Sequence, residues 1–253
     1  NDTDVDDGAV LTVTTASAPS GQGTASVIGN QVQFVPGSDF DYLAVGESTV
    51  VTVNYSIADE HGATSASTIA LTVTGTNDAP VIDAGGTDAT GSITELPNGD
   101  PNENAFTHQD SGTIAFDDAD LSDTHSASFV PQDSGYVGTF TLDAVNQGTD
   151  SVGWHFAVDD SAIDFLDEGE TLTQVYTVSV DDGHGGTTTQ DVTVTITGES
   201  DNLPPDAVDD AYSVVGNVTL TVDANDGVLA NDTDDGGVGA GPGEASVTAF
   251  DAT

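Results

Sequence analysis

Three Asp-x-Asp pairs stand out as groups able to do chemistry: Asp2-Thr3-Asp4, Asp118-Ala119-Asp120 and Asp232-Thr233-Asp234. Carboxylates spaced this way in loops are hard oxygen donors, and about six to eight such oxygens at roughly 2.3–2.6 Å are what Ca²⁺ requires. The competing reading is that these residues form turns and keep the chain soluble, which Asp does without a metal. An EF-hand is excluded. Asp2, Asp4 and Asp6 have its opening, but Asp7 stands where Gly is needed and Val13 where the bidentate Glu belongs. Other chemistries find little support. The chain has no Cys, no HExxH, no G-x-S-x-G and no phosphate-cradling Gly loop. Its carboxylates are too numerous to nominate one pair as general acid and base. His61 and His184 occupy one repeat position, which favours a structural role; His108, His125 and His155 are scattered. Trp154 and Phe156 read as core rather than as a sugar platform. No enzyme is expected.

The charge balance narrows the partners. The 253 residues carry 44 acids, no Lys and no Arg, for a formal charge of −44. Eight acids are Glu and the rest Asp, a bias toward short-armed oxygen ligation and turns rather than exposed helices. Without a basic side chain there is no conventional way to hold nucleic acid, anionic lipid or nucleotide phosphate. No run of about 18 apolar residues offers direct membrane insertion.

The elements that must position the carboxylates are strands. Val, Ala, Leu, Ile and Thr dominate, alternation is clear over 50–55, 69–74 and 192–197, and no convincing helical period occurs. Repeats supply the organisation. Residues 40–62 align without a gap on 163–185, an offset of 123, and Thr72, Thr74, Gly75 and Asp78 fall on Thr195, Thr197, Gly198 and Asp201 at the same offset. Residues 2–7 fall on 118–123 at an offset of 116, so the second copy has gained seven residues, placed at a hairpin turn containing Asn146, Gln147 and Gly148. The tetrapeptide Asn1–Asp4 recurs at 231–234, after the linker Leu203-Pro204-Pro205. The expected fold is all-β, with tandem antiparallel Ig-like or cadherin-like β-sandwiches joined by short calcium-binding linkers. The expected domains are a sandwich at 1–77 lacking its first strands, a complete one at 78–200, and the N-terminal part of a third at 201–253, as in an excerpt from a longer chain.

Residues 78–200 resemble the VCBS repeat of large bacterial surface proteins, through NDAPVI, SGTIAFDDADLSDTH, WHFAVDDSAIDFLDEGETLTQVYTVSVDDGHGG and VTVTITG in order. Residues 1–77 and 206–253 resemble the related bacterial cadherin-like domains, through FDYLAVGE, TVTGTNDAP and VLANDTD. The third segment departs from the pattern after Asp235, where it runs GGVGAGPGEAS. The resemblance implies an extracellular array in a giant calcium-dependent adhesin or biofilm-matrix protein, at the cell surface or in the matrix.

In a sandwich of that topology the loops of one pole meet the exit of the preceding domain. Each junction then collects acids from three places. The preceding domain brings Glu47 at one junction and Glu168 with Glu170 at the other. The linkers bring Asn77 and Asp78, or Glu199, Asp201 and Asn202. The following domain brings Asp118, Asp120, Asp123 and Glu95, or Asp209, Asp210, Asp232 and Asp234. Isolated Asp110, Asp133, Asp150 and Asp164 read as turn formers. The functional expectation is a Ca²⁺-rigidified spacer serving cell adhesion, partnered by neighbouring copies or domains of one fibre and by surface or matrix glycans. Two alternatives are a filament subunit in which 206–230 of one copy completes 1–77 of the next, and a carbohydrate- or protein-binding module.

Overall fold

The computed structural model describes residues 2–5, 8–200 and 208–222. Five strands come first: β1 (Thr12–Ser17), β2 (Thr24–Ile28), β3 (Gln31–Val35), β4 (Ser48–Ala58) and β5 (Thr64–Thr74). They form an antiparallel sheet in the order β1-β4-β5 and a separate β2-β3 hairpin. Strict alternation drives β4: Val51 and Val53 are wholly buried while Thr52 and Asn54 face out. The hairpin turns on Gly29 and Asn30, with Gly29 at φ +62°. Asn30 then clamps β1, accepting the Val13 N–H at 2.6 Å and donating to Leu11 O at 3.0 Å. The core of this first unit is small: Phe40, Leu43, Val51 and Val53 are buried, with Ala18, Ala25, Val32, Phe34, Ile69, Leu71 and Val73 half-buried around them.

Eight strands follow: β6 (Val81–Ile82), β7 (Thr90–Thr94), β8 (Thr107–Asp117), β9 (Ser126–Pro131), β10 (Thr139–Leu142), β11 (Ser151–Asp159), β12 (Thr171–Asp181) and β13 (Thr187–Thr197). They make two four-stranded sheets, β10-β11-β8-β6 and β7-β13-β12-β9. Residues of both, among them Ile114, Phe140, Trp154 and Phe156 from one and Tyr176, Val178, Val192, Val194 and Ile196 from the other, join a single buried cluster, so the sheets pack face to face. Phe140 lies between Tyr176 and Trp154, with ring centroids at 4.2 and 5.9 Å and planes within 12°. Burial pushes the Tyr176 phenol up to about 12. Trp154 is core, as expected, and its indole N–H donates to Asp88 O at 2.7 Å.

The all-β expectation holds, with one qualification. The pairings are antiparallel except β7 with β13, which run parallel from Thr90↔Thr193 to Thr94↔Thr197. The chain leaves the first sheet after β6, crosses through residues 83–89, and joins the second sheet pointing the same way as β13. The only helical pieces among the described residues are two 3-10 turns, Gly37–Phe40 and Asp160–Ala162, which sit at the same repeat position.

Candidate functional site: a buried carboxylate cluster at Asn77–Asp78

The repeat offset reappears in hydrogen bonds. In the first unit Glu47 Oε2 accepts the Ala44 N–H and the Glu47 carbonyl accepts the Gly75 N–H; in the second, Glu170 Oε2 accepts the Asp167 N–H and the Glu170 carbonyl accepts the Gly198 N–H. At the opposite pole, Asp59 Oδ1 accepts from His61 and Ala63, and Asp182 Oδ1 from His184 and Gly186. Each unit thus ends in a glutamate turn fastened to the chain leaving it, and offers an aspartate-centred turn at its entry pole.

At the entry pole of the second unit three segments converge on the linker. The loop after β8 folds on itself, with the Asp120 N–H donating to Asp118 Oδ1 at 2.9 Å and the Asp123 N–H to Asp120 O at 3.0 Å. The turn between β12 and β13 presents Asp182. The linker reaches both: the Asp78 N–H donates to Asp120 Oδ2 at 2.7 Å, and Asn77 Nδ2 donates to Asp182 Oδ2 at 2.9 Å. Two histidines close the ring, His125 Nε2 lying 3.0 Å from Asp118 Oδ2 and His184 Nδ1 3.1 Å from Asp123 Oδ2.

These carboxylates are out of water. The side chains of Asp118 and Asp123 are 3% and 2% exposed, and Asp120 and Asp182 are 2% and 1% exposed. Burying an ionised carboxylate costs several kcal/mol unless donors or cations compensate, and the chain has no Lys or Arg to do it. Asp182 manages with dipoles. Burial pushes its pKa up, but Asn77 and the N–H groups of His184, Gly186 and Gly185 outweigh burial and hold it below the ordinary carboxylate range. Asp120 does not: burial raises it first, the Asp78 N–H only partly offsets this, and repulsion from Asp123, Asp78 and Asp118 adds to the rise. Asp120 Oδ1 and Asn77 Oδ1 are buried acceptors with no donor.

The donor set fits a hard divalent cation in kind, being almost entirely carboxylate and amide oxygen, with two oxygens left unused and no thiolate. It is not gathered for one. Among the described residues no group of three or more His, Asp or Glu side chains has its ligand atoms drawn together around a common point, because most of these oxygens are turned onto N–H donors.

Of the residues expected at this junction, Asn77, Asp78, Asp118, Asp120 and Asp123 come together, and Glu47 lies in the turn fastened to Gly75, just before the linker. Glu95 does not. It follows β7, whose parallel pairing with β13 carries it to the exit pole: its N–H donates to Thr197 O at 3.0 Å and its Oε2 accepts the Glu199 N–H at 3.0 Å. Glu95 is therefore a neighbour of Glu199 and of the turn bearing Glu168 and Glu170, at the second junction rather than the first. Asp209 and Asp210 are exposed in a stretch without strand. Asp201, Asn202, Asp232 and Asp234 lie outside the described residues. Asp133 and Asp150 sit in turns, Asp150 at φ +42°; Asp110 instead bridges strands, accepting the Ser92 N–H at 2.6 Å from mid-β8.

Sequence reading passed over Asp182, although its repeat position matches Asp59, ahead of the His61 and His184 pair already in view. It also passed over His125 and Gln147. The inserted hairpin delivers Gln147, whose amide accepts the His125 N–H at 2.9 Å and donates to His125 O at 2.7 Å, holding that imidazole against Asp118. No local signal announced that contact.

Residues 1–74 match the family described as "Bacterial Ig domain". No curated protein matches the chain. Among solved structures it is similar to human CDH23 EC21-23, at 17% identity and a TM-score of 0.42, covering 91% of this chain and 70% of that one. It is also similar to AggA, the major subunit of aggregative adherence fimbriae type I from Escherichia coli, at 14% identity and a TM-score of 0.31, covering 48% and 97%. The cadherin-like domains 1 to 4 of zebrafish RET are 12% identical with a TM-score of 0.30; the match covers 76% of this chain but only 41% of that one.

Proposed function

We propose that the chain is an extracellular structural spacer of an adhesin-type surface protein, built of VCBS-like and cadherin-like sandwiches and stiffened by Ca²⁺ at its junctions. One observation carries this reading. Four buried carboxylates, those of Asp118, Asp120, Asp123 and Asp182, face the linker residues Asn77 and Asp78 in a chain without a basic side chain, and two acceptors there lack donors. Asp78, Asp118, Asp120, Asp123, Asp182 and the Asn77 amide oxygen would hold the ion, with Glu47 entering from the preceding turn. The ion would supply the positive charge the sequence lacks. The protein's own part is to place these oxygens from three segments and to shield them from water. Tying the linker to the loop after β8 and to the turn after β12 limits how far one unit can swing on the next. Small-angle scattering tests this on the whole chain: the maximum dimension should lengthen and the profile sharpen toward a rod in calcium relative to chelator. Superimposable curves in the two conditions would sink the reading.

A further inference from the structure

We propose that the chain cuts itself at one peptide bond, between Asp100 and Pro101, by attack of the Asp100 carboxyl on its own carbonyl carbon. Of the nine prolines only Pro101 follows an Asp. That pair has the chemistry for the step. The Asp carboxyl can close a five-membered ring on its own main-chain carbonyl, and the nitrogen of an X-Pro bond is a tertiary amide without an N–H. The bond lies in the connection from β7 to β8, residues 95–106, with Asp100 half-buried and Pro101 exposed.

The local structure prepares both partners. Residues 100–103 form a β-turn with Asp at its first position and Pro at its second, the order that type I turns favour. It closes with the Glu103 N–H donating to Asp100 O at 3.0 Å. That oxygen belongs to the scissile bond, so a fixed donor already sits where negative charge develops during attack. The Asp100 side chain is folded over the same bond: its Oδ1 accepts the Asn102 N–H at 2.8 Å and Asn102 Nδ2 at 3.2 Å, both beyond Pro101. The loop around the turn is clamped. The Leu96 and Asn104 N–H groups donate at 2.9 Å to the two oxygens of buried Asp160, which His108 Nε2 meets at 2.7 Å, and the Gly99 N–H donates to Glu103 Oε2 at 2.7 Å. The titratable groups around the loop are Glu103 within it, Asp160 and His108 beneath it, and Glu95 and Glu199 where it leaves β7.

The step balances with water as the only co-reactant. The acid form of the Asp100 carboxyl gives its proton to the Pro101 nitrogen, an oxygen–carbon bond closes a cyclic anhydride, and the carbon–nitrogen bond to Pro101 breaks. Water then opens the anhydride, leaving Asp100 as a C-terminus with two carboxyl groups and Pro101 as an N-terminus; nothing is oxidised or reduced. The cut leaves the pieces paired. Residues 1–100 remain seated through β6 on β8 and β7 on β13, with Ile93 in the buried core. A continuous chain thus becomes one held by strand pairing at this point, and Pro101 gains a basic amine in a sequence without Lys or Arg.

Incubation of the whole chain between about pH 4 and 6, where aspartates take up protons, tests this by denaturing gel and intact mass. The folded chain should yield fragments 1–100 and 101–253, the second beginning Pro101-Asn102-Glu103-Asn104, and faster as pH falls. A matched sample unfolded in guanidinium at each pH should be cut about tenfold more slowly, because the turn fixes carboxyl and donor in advance. Fluorescence of buried Trp154 shows which samples are folded. Asp100→Glu, which would need a six-membered ring, and Pro101→Ala, whose leaving nitrogen is a secondary amide, should both stay whole while keeping the parent's fluorescence. No fragment 101–253 from the folded chain, equal rates in folded and unfolded samples, or undiminished cleavage in either variant overturns the proposal.

Discussion

Calcium should raise the melting temperature of the second unit, and the size of the rise can be worked out. Extracellular modules bind Ca²⁺ with dissociation constants of about 10⁻⁴ M or weaker. At about one hundred times that constant, near 10 mM, one site that exists only in the folded state contributes about 2.7 kcal/mol. Unfolding entropy is about 2.1 cal/mol/K per residue, so a unit of about 120 residues has roughly 0.25 kcal/mol/K at its midpoint, and the expected shift is about 10 °C. Trp154 is the only tryptophan and lies in the core of this unit, so its fluorescence reports the transition directly. Asp120→Asn separates calcium binding from general salt effects. In chelator the variant loses the carboxylate that Asp123, Asp78 and Asp118 repel, while its amide oxygen still accepts the Asp78 N–H, so it should melt above the parent. In calcium it lacks a charged ligand, and the shift should shrink by more than half. The parent and the variant therefore exchange rank between the two conditions. Equal melting temperatures of the parent in calcium and chelator, or an Asp120→Asn chain that keeps the full shift, would refute the argument.

Two further expectations lie away from that cluster. Asp160 is wholly buried and accepts the Leu96 and Asn104 N–H groups at 2.9 Å and His108 Nε2 at 2.7 Å. Burial pushes its pKa up, but His108 and the two N–H groups outweigh burial and hold it below the ordinary range. A depressed carboxylate contributes stability that is present above its unfolded pKa of about 4 and is lost as pH falls through the lower folded value. Asp160→Asn should thus cost about 1.5–3 kcal/mol near neutrality, with the gap to the parent closing in acid; urea unfolding at several pH values would show it, and a gap independent of pH would contradict it. Gly75→Ala and Gly198→Ala test the repeated glutamate turn, because a Cβ at either position lands on the carbonyl oxygens of Leu43 and Ala44, or of Leu166 and Asp167. Each should lose about 1–3 kcal/mol, and an unchanged urea midpoint would contradict the close approach of the glutamate turn to these glycines.

Much of this protein is written in local pattern. The alternation over 50–55, 69–74 and 192–197 lies inside β4, β5 and β13, because a period of two depends only on which face of a strand each side chain takes. The 123-residue repeat carried over into paired hydrogen bonds at Glu47 and Glu170 and at Asp59 and Asp182, since equal turns fold alike. Asp118, Asp120 and Asp123 were legible for the same reason, being neighbours on one loop.

Strand direction was not legible. Nothing in Thr90–Thr94 says that it runs parallel to β13, yet that pairing alone sends Glu95 to the exit pole. Nor does any local feature bring Asp182 to a linker 105 residues earlier, or set Gln147 against His125. Those contacts follow from sheet order, which packing of the Trp154 core decides over the whole unit. The sequence by itself determined that there would be strands, turns rich in Asp, and no basic side chain to offset them. Only the tertiary structure decided which carboxylates are shut away from water together, because burial depends on how the ends of distant strands are stacked at one pole.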